Sequence, residues 1–376
     1  MAGIYLHIPF CKKACNYCNF HFSTSIKMKA DFVEALILEI GLRKDVFSHD
    51  SISSIYFGGG TPSLLSSNEL NRILDHLHQH FNVDSDAEIT LEANPDDLSQ
   101  DKIKQFAQSS INRLSIGVQS FRDSDLKFMH RIHNASQALE SIKRSQDIGL
   151  SNITIDLIYG TPGMTNAHWL ENLQMSFSLQ IPHISSYALT VEDNTPLKRQ
   201  ILSKKYPPVS EDQSAEQFKL LMKEMKAAEY KQYEISNFCK ENAYSRHNSS
   251  YWRKKAYLGL GPSAHSFIGN SRLWNVSNNQ RYIHEINQSI LPLEREILSQ
   301  RDQYNEYMMT SLRTIWGCDI AVIKKDFPSI YSLHFLEEIK THIDRGLVEE
   351  FNGIFTLSDQ GKLFADRISS DLFLTA

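Results

Sequence analysis

Along the first half of the chain, apolar and polar positions follow two alternating rhythms. Short, nearly continuous apolar runs occur at 3–8, 52–57, 88–92, 113–118, 153–158 and 184–189, with the length and composition of buried strands. Between them apolar residues recur every three or four positions, as in Val33, Leu36, Ile37 and Ile40 or Leu70, Ile73, Leu74 and Leu77, which is the spacing of one buried helix face. Further helices are expected near 101–108, 123–147 and 166–179. Six strands separated by helices predict an α/β fold with a parallel sheet, open or curled into a barrel.

From about residue 190 the rhythm loosens. A helix is expected over 210–228, followed by two unusual stretches, Arg246-His247-Asn248-Ser249-Ser250-Tyr251-Trp252 and Leu258-Gly259-Leu260-Gly261-Pro262. From about 300 a smaller α+β unit is expected: helices near 302–315, 319–326 and 333–345, a two-stranded hairpin turning at Asn352-Gly353, and a last helix after Ser358. Helices followed by a two-stranded wing are winged-helix-like. The expected division is a core over 1–235, a connecting segment over 236–298 and a C-terminal domain over 299–376.

The net charge of −5 over 376 residues argues against a general nucleic-acid binder. The wing is not basic, since Asp344, Glu349, Glu350 and Asp359 offset Lys340, Arg345 and Lys362. Of five cysteines, three sit together and Cys239 and Cys318 stand apart, which is not a disulfide framework and suggests a reducing, cytoplasmic setting. No apolar run approaches the ~18–20 residues of a membrane helix.

The chemistry gathers where the strands end, which in parallel α/β folds is the active face. The first strand runs into Cys11, Cys15 and Cys18 in a C-x3-C-x2-C pattern. Three soft ligands fit an iron–sulfur cluster with one iron left open, a zinc site completed by His7 or His21, or structural thiols. The second strand ends in Gly58-Gly59-Gly60-Thr61-Pro62, either a tight turn or a close approach of backbone to ligand. Glu92, Gln119 and Asp156 close later strands; they read as turn residues or as acceptors for ribose hydroxyls, with Arg131 a partner for a carboxylate. His247 beside Tyr251 and Trp252 reads as core or as a haem ligand against a flat apolar group.

Cys11-x3-Cys15-x2-Cys18, with Tyr17 before the last cysteine, and the glycine motif resemble the radical S-adenosylmethionine (SAM) superfamily. Tyr5-Leu6-His7-Ile8-Pro9-Phe10, Glu92-Ala93-Asn94-Pro95, Gly117-Val118-Gln119-Ser120-Phe121 and Ile155-Asp156-Leu157-Ile158-Tyr159-Gly160 resemble, more narrowly, its HemN/HemW subgroup. That subgroup holds oxygen-independent coproporphyrinogen III oxidases and haem chaperones. The oxidase pattern carries a fourth cysteine where this chain has Phe20, and His247-Asn248-Ser249-Ser250-Tyr251-Trp252 matches the chaperone's H-N-x-x-Y-W stretch. Asn19 and His21 depart from the aspartate and serine expected beside that position.

The resemblance implies a partial (β/α)6 barrel, a [4Fe–4S] cluster on the three cysteines, SAM on the open iron, and haem as cargo for acceptor proteins. It also implies Tyr5, Tyr17, Gly59, Gly60, Thr61, Glu92, Gln119, Arg131 and Asp156 as SAM-site residues and His247 as the haem candidate. An electron from reduced flavodoxin or ferredoxin would cleave SAM to methionine and a 5′-deoxyadenosyl radical. Covering the barrel mouth is a task expected of the C-terminal region, and radical decarboxylation of coproporphyrinogen III is the rival activity.

Overall fold

The structure is a computed structural model and describes residues 1–375. All six expected strands form: β1 (Ala2–Ile8), β2 (Ile52–Gly59), β3 (Val83–Ala93), β4 (Arg113–Gln119), β5 (Ile153–Tyr159) and β6 (His183–Ala188). Each pairs in parallel with the next. The connecting helices are α1 (Lys29–Leu42), α2 (Ser67–His80), α3 (Gln100–Ala107), α4 (Asp123–Phe128), α5 (Ala135–Asp147) and α6 (Asn166–Ser178). After β6 come α7 (Pro196–Leu202) and α8 (Glu211–Ala227).

Residues 231–297 extend this sheet on both sides. Two short antiparallel strands, β7 (Lys231–Gln232) and β8 (Asn237–Cys239), continue it beyond β6. On the other side α9 (Arg246–Trp252) leads into β9 (Tyr257–Leu260), parallel to β1. Then follow β10 (His265–Ile268), β11 (Ser271–Asn275), α10 (Asn279–Asn287) and β12 (Leu293–Ile297). The resulting twelve-stranded sheet is open, with β12 and β7 at its edges.

The expected single helix over 123–147 is two helices. α4 stops because His130 takes a left-handed φ of 58°, so that the Arg131 N–H reaches back to the Leu126 carbonyl (2.9 Å) and the His130 N–H to that of Lys127 (3.1 Å). This is a Schellman ending, built on histidine where a glycine would have announced it. Asn134 and Gln137 then form a capping box that opens α5.

Along β1–β6 the two faces of the sheet differ. Ile4, Leu6, Ile55, Phe57, Leu91, Leu114 and Ile155 are fully buried against the helices, each contributing roughly 1.5–3 kcal/mol. The alternate positions, including Tyr5, Tyr56, Glu92, Arg113, Asp156 and Tyr187, are polar or aromatic and turn into the concave side. The lumen of this partial barrel is therefore polar, where an ordinary barrel packs aliphatic side chains.

The C-terminal unit has its own core around Tyr304, Met308, Phe335, Ile339 and Phe355. It comprises α11 (Gln300–Ser311), β13 (Cys318–Asp319), α12 (Ile320–Asp326), α13 (Ser329–Asp344), β14 (Val348–Phe351), β15 (Ile354–Leu357) and α14 (Ala365–Asp371). The hairpin turns as expected, with φ positive at both Asn352 and Gly353. β13 adds a third strand to the expected two, a pairing too short to show in the sequence pattern. Cys239 and Cys318 are both buried free thiols.

The unit is joined to the open side of the sheet, where the Ile315 N–H donates to the Tyr233 carbonyl (3.0 Å). Arg313 and Arg253 lie over the rings of Trp252 and Trp316. Among the described residues no hydrogen bond links it to the cysteine loop. Its polar contacts to the rest of the chain reach Tyr233, Glu234, Trp252, Lys254 and Arg272.

Candidate radical SAM site

The loop after β1 is held from three sides. The Cys11 N–H donates to the Ser23 carbonyl (3.0 Å). Asn16, fully buried, donates from Nδ2 to the Phe128 carbonyl (2.6 Å) at the end of α4 and accepts the Leu197 N–H (2.8 Å) at the start of α7. Tyr17 packs among Leu126, Met129 and Leu197. The glycine turn is stitched to the same loop: the Gly60 N–H donates to the Ile8 carbonyl (2.9 Å) and the Thr61 N–H to that of Phe10 (2.7 Å). A Cβ on Gly60 would lie 2.6 Å from the Ile8 carbonyl oxygen, and Gly59 has φ +99° with its Cβ direction blocked by the His7 ring. These glycines serve, first of all, the close seam between β1 and β2.

Cys11, Cys15 and Cys18 are free and half-buried. Burial pushes the Cys11 thiol up to about 11, against the pull of a hydrogen bond from Thr61. Cys18 is likewise raised by burial, opposed by the Phe20 N–H. Such thiols become ligands by exchanging a proton for metal. Neither histidine of the zinc reading is turned toward them: His7 Nε2 bonds the His21 carbonyl (2.8 Å) and His21 Nε2 bonds Asn279 Oδ1 (2.7 Å). Among the described residues no three His, Cys, Asp or Glu side chains converge on one ion. A cluster places each thiolate on its own iron, and three free, half-buried thiols on one loop can supply them.

Inside the lumen Tyr5, Tyr56 and Glu92 meet over Gly58, where a Cβ would come within 2.9–3.0 Å of all three. The Tyr56 hydroxyl donates to Glu92 Oε1 (2.8 Å). Burial raises the Glu92 carboxyl to about 7 despite that bond, and the nearby Asp156 adds to the rise. Asp156 itself is raised to about 6 by burial, against a hydrogen bond from Ser185 and the charge of Arg113. Two crowded carboxyls, both raised by burial, fit a positively charged ligand.

Arg131, delivered by the end of α4, donates to Asn94 Oδ1 and the Gly117 carbonyl (both 2.7 Å) and to Cys15 Sγ (3.3 Å). Its Nε is buried without a partner, a free donor that fits a ligand carboxylate. Gln119 ends β4 with φ 67° and packs its amide toward Gly117. The sequence candidates Tyr5, Glu92, Gln119, Arg131 and Asp156 are thereby gathered around one lumen, with Gly59, Gly60, Thr61 and the cysteines on its rim.

His247 lies elsewhere, at the end of the lumen where the strands begin. Glu88 accepts the Arg246 and His247 N–H groups (both 3.0 Å) and so holds the start of α9. The His247 ring stacks on Tyr56 (centroids 5.0 Å apart). Its Nδ1 bonds Ser54 Oγ (2.9 Å) and its Nε2 the Tyr251 hydroxyl (2.8 Å). Burial, with the charge of Arg113, lowers its pKa to about 3. In this conformation it is neutral and has no free nitrogen; ligation there requires the Tyr251 bond to open.

Residues 5–175 match the family model described as Radical SAM superfamily. The chain is 33% identical over 375 residues to the heme chaperone HemW of Bacillus subtilis, covering 98% of each chain. It is 32% identical to the protein of that name from Lactococcus lactis, covering 95% of this chain and 93% of that one. The chain belongs to the HemW family of radical SAM proteins. Its fold is that of the radical SAM coproporphyrinogen III oxidase HemN from Escherichia coli, with a TM-score of 0.86 at 23% identity over 99% of this chain and 90% of that one. Membership of the HemW family within this superfamily implies a [4Fe–4S] cluster and SAM.

Three lumen or loop residues of this HemW-family chain escaped sequence reasoning. Tyr56 and Tyr187 occupy inward strand positions; the alternation in Ser54-Ile55-Tyr56-Phe57 is the signal that exposes Tyr56, while Ser185-Ser186-Tyr187 does not alternate and gives none. Asn16, between two cysteines, left no signal: only the folded chain shows that it ties the loop to α4 and α7. Among the described residues no helix is long and apolar enough to cross a membrane.

Proposed function

We propose that this chain is a haem chaperone, binding haem and passing it to acceptor proteins, with a [4Fe–4S] cluster on Cys11, Cys15 and Cys18 and SAM in the polar lumen. The reading rests on full-length similarity to proteins named heme chaperone HemW. Phe20, 68% exposed where the oxidase pattern has cysteine, favours it over the decarboxylase. When bound and reduced, the cluster supplies the electron for SAM cleavage, drawn from a flavodoxin or ferredoxin.

The chain's own residues supply the rest. Glu92 and Asp156 receive the cationic part of SAM, and binding lowers their raised pKa values. Arg131 Nε takes the carboxylate, Tyr5 and Tyr56 wall the lumen, Tyr17 steadies the cysteine loop, and Gln119, Gly59, Gly60 and Thr61 shape the rim. The reading places the protein in the cytoplasm. For haem, His247 stays the ligand candidate only through a conformation in which Tyr251 has released Nε2.

The test is anaerobic titration of cluster-loaded protein with haemin, followed by transfer to an apo-cytochrome monitored by its Soret band. A Soret shift and transfer are expected, with no protoporphyrinogen from coproporphyrinogen III under SAM and reductant. Decarboxylation without haem transfer would replace the reading with the oxidase. An unchanged haem spectrum and affinity in His247→Ala would remove His247 as ligand.

A further inference from the structure

We propose that Asn94 is a positioning residue that ties Arg131 and Thr61 into one hydrogen-bond relay onto the cluster thiolates, raising the cluster's reduction potential. This rests on the cluster assignment above and extends it to how readily the cluster accepts an electron.

The relay is continuous. Arg131 donates from Nη2 to Asn94 Oδ1 (2.7 Å), and Asn94 Nδ2 donates to Thr61 Oγ1 (3.2 Å). With its oxygen so engaged, Thr61 turns its own proton onto Cys11 Sγ (3.4 Å). The other terminal nitrogen of the same guanidinium, Nη1, donates directly to Cys15 Sγ (3.3 Å). One cation thus feeds two of the three thiolates, directly and through two neutral groups whose dipoles it aligns.

The relay is also fixed in place. Thr61 is 4% exposed, its N–H is bonded to the Phe10 carbonyl, and Arg131 is anchored to the Gly117 carbonyl (2.7 Å) and by the end of α4. Asn94 is the only member between the two arms. Its side chain must accept from one and donate to the other, which asparagine can do and an ionised aspartate cannot.

Adding an electron to a cluster makes it more negative. Donors and positive charge at its sulfurs stabilise the reduced form, and hydrogen bonds to the sulfurs are among the determinants of cluster potential. Asn94 makes its side-chain hydrogen bonds to Thr61 and Arg131, so its effect travels through them.

The experiment is an anaerobic redox titration, followed by electron paramagnetic resonance without SAM, of the full chain as wild type, Thr61→Val, Thr61→Ser and Asn94→Leu. Iron is counted in each. The expected result is a midpoint shifted to more negative potential in Thr61→Val and in Asn94→Leu, with Thr61→Ser at the wild-type value because it keeps the donor. If Thr61→Val fails to hold iron, Asn94→Leu carries the comparison alone. An Asn94→Leu protein with wild-type iron content and an unmoved midpoint overturns the relay. A wild type that assembles no cluster overturns the cluster assignment instead.

Discussion

Replacing Glu92 by glutamine separates the lumen carboxyl's cost to the fold from its use in binding. The substitution keeps an oxygen to accept the Tyr56 hydroxyl bond and removes the charge. Burial, more than the neighbouring Asp156, raises this carboxyl from 4.5 to about 7 in the folded chain. A raised acid holds its proton more tightly when folded, so its contribution is fully present below the unfolded pKa and is lost as pH rises through the folded one. The difference of 4.5 to about 7 at ~1.4 kcal/mol per pH unit gives about 3 kcal/mol of destabilisation above neutrality. Without SAM, Glu92→Gln should therefore match the wild type near pH 4.5 and be more stable by about 3 kcal/mol at pH 8. Urea unfolding under anaerobic conditions at the two pH values reads this directly. With SAM present the order should reverse, because ligand stabilisation follows affinity and the variant has lost the carboxylate that meets the cation. A variant no more stable than wild type at pH 8, or one stabilised by SAM as much as the wild type, would refute the reasoning.

Three further outcomes follow from the same geometry. Gly60→Ala places a Cβ 2.6 Å from the Ile8 carbonyl and 2.7 Å from that of Phe10, backbone that cannot turn aside; a loss of about 1–3 kcal/mol with lowered iron content is expected, read by urea unfolding and iron assay. Ser54→Ala removes the partner of His247 Nδ1 and leaves a buried donor or acceptor unpaired, which costs about 1–3 kcal/mol in urea unfolding; an unchanged midpoint would mean that α9 is held without this bond. His133 is lowered to about 4 by burial and the charge of Arg131, so the unfolded chain takes up its proton first as pH falls. Its contribution is intact above pH 6.5 and is lost between 6.5 and about 4, so His133→Gln should flatten the acid slope of stability there by up to ~1.4 kcal/mol per pH unit.

Local pattern alone determined the six parallel strands, most of the helices, the cysteine loop, the glycine turn and the Asn352-Gly353 hairpin. Each is set by neighbours within a few residues: apolar spacing, a capping pair, or a turn that needs positive φ. The break between α4 and α5 was missed because its left-handed residue is His130 and the apolar spacing runs on across it. What only the tertiary structure decided is which of these pieces meet. Arg131 reaches Cys15 across 116 residues of sequence, and His247 lies under the lumen because Ser54 and Glu88 come from strands far from it in the chain. Strand periodicity tells that alternate side chains share a face. Which inward side chains become neighbours depends on strand order, register and the curl of the sheet, and these are set by long-range pairing that no short window of sequence contains.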